Sequence, residues 1–426
     1  MKQKERKGAP TKSSSTIFGM RPREAFVFLL LLVLVTLFYT QQINFVVADL
    51  GRHIQNGELF INSLTIPSTN FYSYTNSYFS TVTHHWGSGV IYYCLWYLAE
   101  FEGLTMLNVA LYLIAFCFIF SLSYRLNGFS TTLLLSLLAL PLLASRPEIR
   151  PEVFSYLFIS IYIWFLYPFK QGLMRYWSLA LLPFLQLLWV NLHLFFVMGP
   201  FLIGVFIVDQ FINEKNGSKI KALVYVLIAS ILACLANPFG LKGLLEPFLI
   251  FREYGYMIAE NQSVLFMQDR FNKLLYYHVE ITLLIALFSI VYVIYRRKYH
   301  KYFISILLLV VYGVLAFIMI RNFPMFGLLF IPFAGQQLQD WVDSGKYTFR
   351  KRFPQAALGL AIFLMIISAS GRAGYLSPNY QAVGLGLLPN SNKAARFYQQ
   401  YNLPGKIFNN YDIGSYLTYH LYPDLL

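Results

Sequence analysis

Charge is what this 426-residue sequence has least of: Asp, Glu, Lys and Arg make up only 12% of it. A soluble domain carries about 25%, so an ordinary water-facing surface is excluded. Acidic groups are the scarcer sign, 19 Asp and Glu against 33 Lys and Arg, for a formal charge of +14. Cysteine is rarer still. Cys94, Cys117 and Cys234 all lie in apolar runs. They offer no disulfide framework and no metal-ligand spacing, and read as small buried hydrophobes. The basic residues form no domain or helix of the kind that grips nucleic acid, so no nucleic-acid partner is expected. They fall in short links between apolar stretches, as the positive-inside rule produces. A clear internal repeat, frequent in transporters, is also missing.

What is present is hydrophobic: 57% of residues, with 18% aromatic. The fold class expected is an all-α polytopic membrane protein of about eleven transmembrane helices, each long enough for about 30 Å of hydrocarbon. The first runs from Phe26 to Val47, and the others lie near 103–124, 129–145, 153–169, 176–190, 194–212, 220–236, 277–295, 302–320, 323–338 and 354–371. Residues 87–100 are apolar but short, either an interfacial helix or an extension of the next span. Val46-Val47-Ala48 has the small residues of a cleavage site, but the apolar region before it is longer than a signal peptide's, so an uncleaved anchor is expected.

Three regions follow. Residues 1–23 are basic and rich in Ser and Thr, a disordered cytoplasmic tail. Residues 24–372 hold the spans and a first outer loop, 48–102. Residues 373–426 are amphipathic. There a short helix over 392–398, capped at Asn390 or Ser391, a strand and turn over 405–410, and a second piece over 413–421 read as the start of a small extracytoplasmic α/β domain. The chain stops at Asp424-Leu425-Leu426 without an obvious domain end, the pattern of a truncated domain. With the amino terminus inside a cytoplasmic (inner) membrane, the basic links 170–175, 215–221, 296–301 and 346–352 face the cytoplasm and the carboxy terminus lies outside.

The outer side is chemically different. Asp49, Arg52, His53, His84, His85, Arg146, Glu148, Arg150, Glu152, Asn191, His193, Asn237, Glu260 and Arg321 all map to outer ends or loops. Ionisable groups at membrane depth are costly and mark pathways or sites. Asp49 follows the first span directly, and His53 is one helical turn on. His84-His85-Trp86 is either an interfacial cluster or a substrate contact. Arg146-Pro-Glu148-Ile-Arg150-Pro-Glu152 is either a self-neutralising loop or an anion site, since a guanidinium grips phosphate oxygens in a two-pronged fork. Arg321-Asn322-Phe-Pro324 adds a further guanidinium, and Asn191-Leu-His193 adds neutral donors.

As an ordered set these residues resemble bacterial members of the GT-C superfamily of membrane glycosyltransferases, the group of the protein mannosyltransferases and lipid A aminoarabinose transferases, and most nearly an uncharacterised bacterial branch. The likeness runs through Asp49, His53 and Gly57; Pro67 to Thr75; His84 with Trp86; Arg150-Pro-Glu-Val-Phe-Ser155; Asn191-Leu-His193; Asn237-Pro-Phe-Gly240; Arg321-Asn-Phe-Pro324; and Phe408 to Leu417. Arg52, Asn70 and His85 depart from it, standing where relatives often carry an aromatic, an Asp and an acidic residue.

The resemblance implies transfer of a sugar from a polyprenyl-phosphate donor to an extracytoplasmic acceptor: lipid, glycan or protein. A phosphate leaving group is a weak base and needs no general acid, unlike the alcohol released by glycosidases. One carboxylate then suffices as general base. Asp49 is expected to fill that role, with its pKa raised by low-dielectric surroundings. Arg146, Arg150 and Arg321 would hold the departing phosphate. Arg52, His53, His84, His85, Glu152, Asn191, His193 and Glu260 would line the substrate. No cofactor is implied, and a divalent metal stays open. A transporter or flippase for a lipid-linked or anionic substrate, and a non-catalytic scaffold of the same fold, are the competing readings.

Overall fold

A computed structural model of the protein describes residues 19–46, 49–249, 258–369, 383–403 and 406–423. Its helices are α1 Pro22–Tyr39, α2 Leu50–Ser63, α3 Trp86–Asn127, α4 Phe129–Leu143, α5 Glu152–Lys170, α6 Leu181–Leu192, α7 Met198–Asp209 and α8 Gly217–Cys234. They continue with α9 Gly240–Leu249, α10 Val264–Phe271, α11 Leu274–Tyr295, α12 Phe303–Ile318, α13 Phe323–Ser344, α14 Tyr347–Ala369, α15 Lys393–Gln400 and α16 Gly414–Leu421. Among the described residues the fold is all-α. Most of the basic tail, and the cleavage-like Val47 and Ala48, lie outside them.

Six helical segments are long and apolar enough to cross a membrane: Pro22–Tyr39, Trp86–Asn127, Glu152–Lys170, Leu194–Glu214, Gly217–Cys234 and Leu274–Tyr295. That is the make-up of a multi-pass membrane protein. The expected count of eleven is not met. Phe129–Leu143, Tyr176–Leu192 and Phe303–Ile318 are apolar but shorter. The last part of α13 carries Gln336, Gln337, Gln339 and Asp340, and α14 opens on Arg350, Lys351 and Arg352. Among the described residues the spans also carry exposed apolar stripes, such as Ile281, Leu284, Leu287 and Val291 on α11. Patches of this extent on a protein surface need an apolar partner, and lipid is that partner for a span.

The core is organised around α13, which packs against α3, α4, α11 and α12 and is buried from Phe323 to Gln337. The buried Gln336 amide is paired at both ends, accepting from Ser305 and donating to Tyr167, whereas Gln337 is paired only at its oxygen among the described residues. Ser289 Oγ donates to Gln337 Oε1 at 2.7 Å, and Ser305 Oγ to Gln336 Oε1 at 2.6 Å. Such pairing removes the penalty of a lone polar group in an apolar interior.

Residues 86–98 are helical but not continuous with the span that follows. The helix breaks at Ala99 and Glu100, the latter at φ 48°. The first part of α3 instead packs on α2. Their closest approach is at two glycines: a Cβ on Gly57 would collide with the Gly89 carbonyl, and one on Gly89 would sit 2.8 Å from the His53 carbonyl. The stretch between the first two spans therefore holds a packed pair of helices, α2 and the first part of α3, joined by the non-helical residues 64–85.

The expected α/β domain at the carboxy terminus is not found. Residues 406–410 form no strand, and both 393–400 and 414–421 are helices. The first begins after Asn392, not at Asn390 or Ser391, and its cap makes no side-chain hydrogen bond. What β pairing exists is isolated: Gln41 bridges Val383 and Ile43 bridges Leu387. α16 lies against α2. There Arg52 N–H donates to Ser415 Oγ at 2.8 Å, and a Cβ on Gly51 would sit 2.5 Å from the Ser415 carbonyl.

Candidate active site

Two prolines four residues apart, Pro147 and Pro151, disfavour helical backbone at the residues before them, Arg146 and Arg150, and the link between α4 and α5 is not helical. The extended link is pinned to α3. Tyr112 Oη donates to the Arg146 carbonyl at 2.6 Å, and Asn108 Nδ2 donates to the Pro147 carbonyl at 3.0 Å. Both arginines are thereby held over the ends of α2, α5 and the 259–261 turn.

They centre a network of ion pairs. Arg146 Nη2 lies 2.9 Å from Glu152 Oε1, and Arg146 Nη1 lies 2.7 Å from Glu260 Oε2. Arg150 Nη1 shares that Glu260 oxygen at 3.0 Å and reaches Asp49 Oδ2 at 3.4 Å. Arg321 closes the ring, 3.3 Å from Glu152 Oε1 and 3.1 Å from Asn261 Oδ1, with its guanidinium 5.6 Å from the Phe195 ring. Tyr156 Oη donates to Glu152 Oε2 at 3.0 Å.

Exposure divides this network. The side chains of Arg146 and Glu152 are 8% and 6% exposed. Those of Asp49 and Arg52 are 41% and 49% exposed, with Arg52 Nη2 4.0 Å from Asp49 Oδ1. Arg146 and Glu152 are the keystone, and Asp49 with Arg52 is the open rim. The Nε groups of Arg146, Arg150 and Arg321 are buried and have no hydrogen-bond partner among the described residues.

The network sets the charge of its carboxylates. Burial opposes ionisation of Asp49, but the guanidiniums of Arg52 and Arg150 outweigh it and hold the carboxyl below its ordinary range. The raised pKa expected for Asp49 is thus reversed: Arg52, three residues on, and Arg150, brought in by the fold, together outweigh burial. Glu260 is likewise buried, and Arg146, Arg150 and Arg321 hold it well below the usual carboxylate range.

Beside the ions lie four histidines. The His85 ring centre is 3.8 Å from that of His84, and 5.4 Å from those of both His53 and His193. Burial, with Arg52 next, pushes His53 down to about 3. Burial likewise takes His84 to about 4 and drives His85 and His193 well below the ordinary imidazole range. The cluster is neutral at physiological pH.

Hydrogen-bond bookkeeping fixes two tautomers. Trp189 Nε1 donates to Ser155 Oγ at 2.7 Å; His193 Nδ1 lies 2.7 Å from that hydroxyl and accepts the Phe195 N–H at 3.5 Å, which leaves the His193 proton on Nε2. His84 Nδ1 donates to the Val82 carbonyl at 3.0 Å, so its buried Nε2 is an acceptor, and it has no partner among the described residues.

Eleven of the twelve expected site residues therefore meet at one end of the helices: Asp49, Arg52, His53, His84, His85, Arg146, Arg150, Glu152, His193, Glu260 and Arg321. Asn191 plays a different part. Its amide donates to the Leu187 and Ala236 carbonyls at 2.9 and 3.0 Å and accepts from Trp86 Nε1 at 2.8 Å, which ties α6 to the start of α3. Asn237 likewise spends its side chain on the turn before α9.

Sequence reasoning missed Asn108, Tyr112 and Tyr156, which position the charged groups. The signal was faint: single polar residues inside apolar helices, which must find a buried partner. Among the described residues no group of three or more His, Cys, Asp or Glu side chains is arranged to hold a metal ion. No protein-family model matches this chain, and no curated protein matches it.

Proposed function

We propose that the protein is a GT-C-type membrane glycosyltransferase. It moves a sugar from a polyprenyl-phosphate donor to an acceptor hydroxyl outside the cytoplasmic membrane, with its amino terminus inside and its carboxy terminus outside. The observation that carries this reading is the position of Asp49: the most exposed carboxylate of the network, 41% exposed and within 3.4 Å of Arg150. An ionised base and a cation sit side by side at an open rim, backed by a rigid ionic keystone.

In the reaction, Asp49 takes the proton of the acceptor hydroxyl. The oxygen attacks the anomeric carbon, and the bond to phosphate breaks with its electron pair on phosphate, so configuration inverts. Arg150 and Arg52 neutralise that leaving group. The unpartnered buried Nε groups of Arg150 and Arg321 leave an electropositive remainder suited to it. Arg146 is committed to Glu152 and Glu260 and serves to position. A lowered pKa makes Asp49 a weaker base but keeps it ionised at neutral pH, and catalysis needs that form. The polyprenyl tail would lie in lipid against the uncovered faces of the spans.

The test is to incubate purified protein with labelled polyprenyl-phosphate sugars and envelope extracts. Label appearing in acceptor, with polyprenyl phosphate released in equal amount, supports transfer. Label crossing the bilayer of proteoliposomes with the donor bond intact would replace this reading by transport.

A further inference from the structure

Sugar transfer leaves the opposite end of the helices without a role. Glu152 opens α5 and Lys170 closes it, so the two ends lie about 28 Å apart. At the Lys170 end, the last turns of α3 and α5 border a cleft of about 590 Å³, lined by Leu122, Arg125, Leu126, Pro168, Gln171 and Leu173. Four of these are hydrocarbon, and Arg125 is the cleft's cation.

Three lysines at this end are neutralised by carboxylates: Lys170 pairs with Asp209 at 2.9 Å, Lys219 with Glu214 at 2.7 Å and Lys298 with Asp340 at 2.6 Å. The exposed Arg125, like Arg175, is in no ion pair among the described residues. Its guanidinium carbon instead lies 5.7 Å from the centre of the Trp164 ring. Trp164 Nε1 donates to Ser121 Oγ at 3.1 Å, which fixes the ring under the guanidinium. Leu173, Tyr176 and Trp177, all exposed, stand beside the cleft, and Trp and Tyr with Arg and Lys mark the level of lipid headgroups.

We propose that this cleft binds an anionic phospholipid of the leaflet at the basic end. The phosphate sits on Arg125, and an acyl chain runs along Leu126 and Leu173, with the buried Leu122 forming the floor. A guanidinium stacked on an aromatic face is oriented in advance and presents its fork to phosphate oxygens. The apolar walls explain why a lipid, not a free anion, is the occupant: inorganic phosphate would leave them wetted. A zwitterionic headgroup would bring its own cation next to Arg125, whereas an anionic one brings net negative charge to a chain of net charge +14.

The test uses full-length protein in detergent, with phosphatidylglycerol and phosphatidylcholine of identical chains, and binding read by native mass spectrometry. Wild type is expected to retain phosphatidylglycerol about fivefold over phosphatidylcholine, the scale of one cation near an anionic surface. Arg125→Gln should fall to parity, and Arg125→Lys should keep most of the preference. Arg296→Gln, which removes an exposed arginine at the end of α11, should keep all of it. Leu173→Asp, on an exposed turn, sets a carboxylate against the phosphate and should also abolish the preference. Equal retention of both lipids by wild type, or an undiminished preference in Arg125→Gln, overturns the proposal. So does displacement of phosphatidylglycerol by millimolar inorganic phosphate, which would mark a free-anion site.

Discussion

Arg150 Nη1 stands 3.4 Å from Asp49 Oδ2 and 3.0 Å from Glu260 Oε2, so one guanidinium ties the carboxylate at the start of α2 to that of the 259–261 turn. Its loss should affect chemistry more than folding. Arg150→Gln is expected to lower kcat/KM for sugar transfer by about 10²- to 10³-fold, the scale for one transition-state donor. Its unfolding temperature should change less than that of Arg146→Gln.

Arg146 is the opposite case. It is 8% exposed and bonds two carboxylates, Glu152 and Glu260. Arg146→Gln removes the nearest cation from both and leaves Glu152 to Arg321 and Glu260 to Arg150 and Arg321, a loss of up to about 3–5 kcal/mol. Chemical or thermal unfolding in detergent measures it, and a change under about 1 kcal/mol would show that the network is not the keystone.

The neutral histidines give stability a pH dependence of known sign. Unfolded, a histidine takes up its proton near 6.5, whereas folded His53 does so near 3 and folded His84 near 4. Between those values the unfolded chain binds more protons, so stability falls as pH falls, by up to about 1.4 kcal/mol per unit for each group. Asp49 and Glu260 are held below their ordinary range and stay ionised throughout, so they add nothing to the slope between about pH 7 and 5. The unfolding temperature should drop from pH 7 to pH 5, and His53→Gln should flatten the drop.

The two-glycine contact sets how α2 carries Asp49, Arg52 and His53. A Cβ on Gly57 would strike the Gly89 carbonyl. Gly57→Ala should therefore cost about 1–3 kcal/mol as overpacking and reduce transfer by displacing the rim. Equal activity and stability in Gly57→Ala would mean that α2 and α3 separate without consequence.

Much of this was legible in the sequence, for identifiable reasons. Hydrophobic runs located the helices, because an apolar run of that length has few other stable forms. The prolines at 147 and 151 marked the arginine link, because proline restricts the residue before it whatever the tertiary context. What failed was quantitative or three-dimensional. Helix length and the glutamines at 336, 337 and 339 lowered the count of spans. The stretch 405–410 suggested a strand that its described residues, 406–410, do not form; instead α16 packs on α2 through Ser415, a contact between distant segments that no local pattern announces. The pKa of Asp49 was misjudged because the lowering by Arg52, three residues on, was not weighed against burial and because Arg150 becomes a neighbour only through the fold.

The most direct test of the central claim compares wild type, Asp49→Asn and Asp49→Glu in transfer of labelled sugar from polyprenyl phosphate to envelope acceptor. Asp49 is 41% exposed, so all three proteins should fold and show similar unfolding temperatures. If Asp49 is the base, Asp49→Asn should lose about 10²- to 10⁴-fold in kcat, the contribution of a positioned general base, while Asp49→Glu keeps part of the activity. Transfer by Asp49→Asn at the wild-type rate would contradict that role.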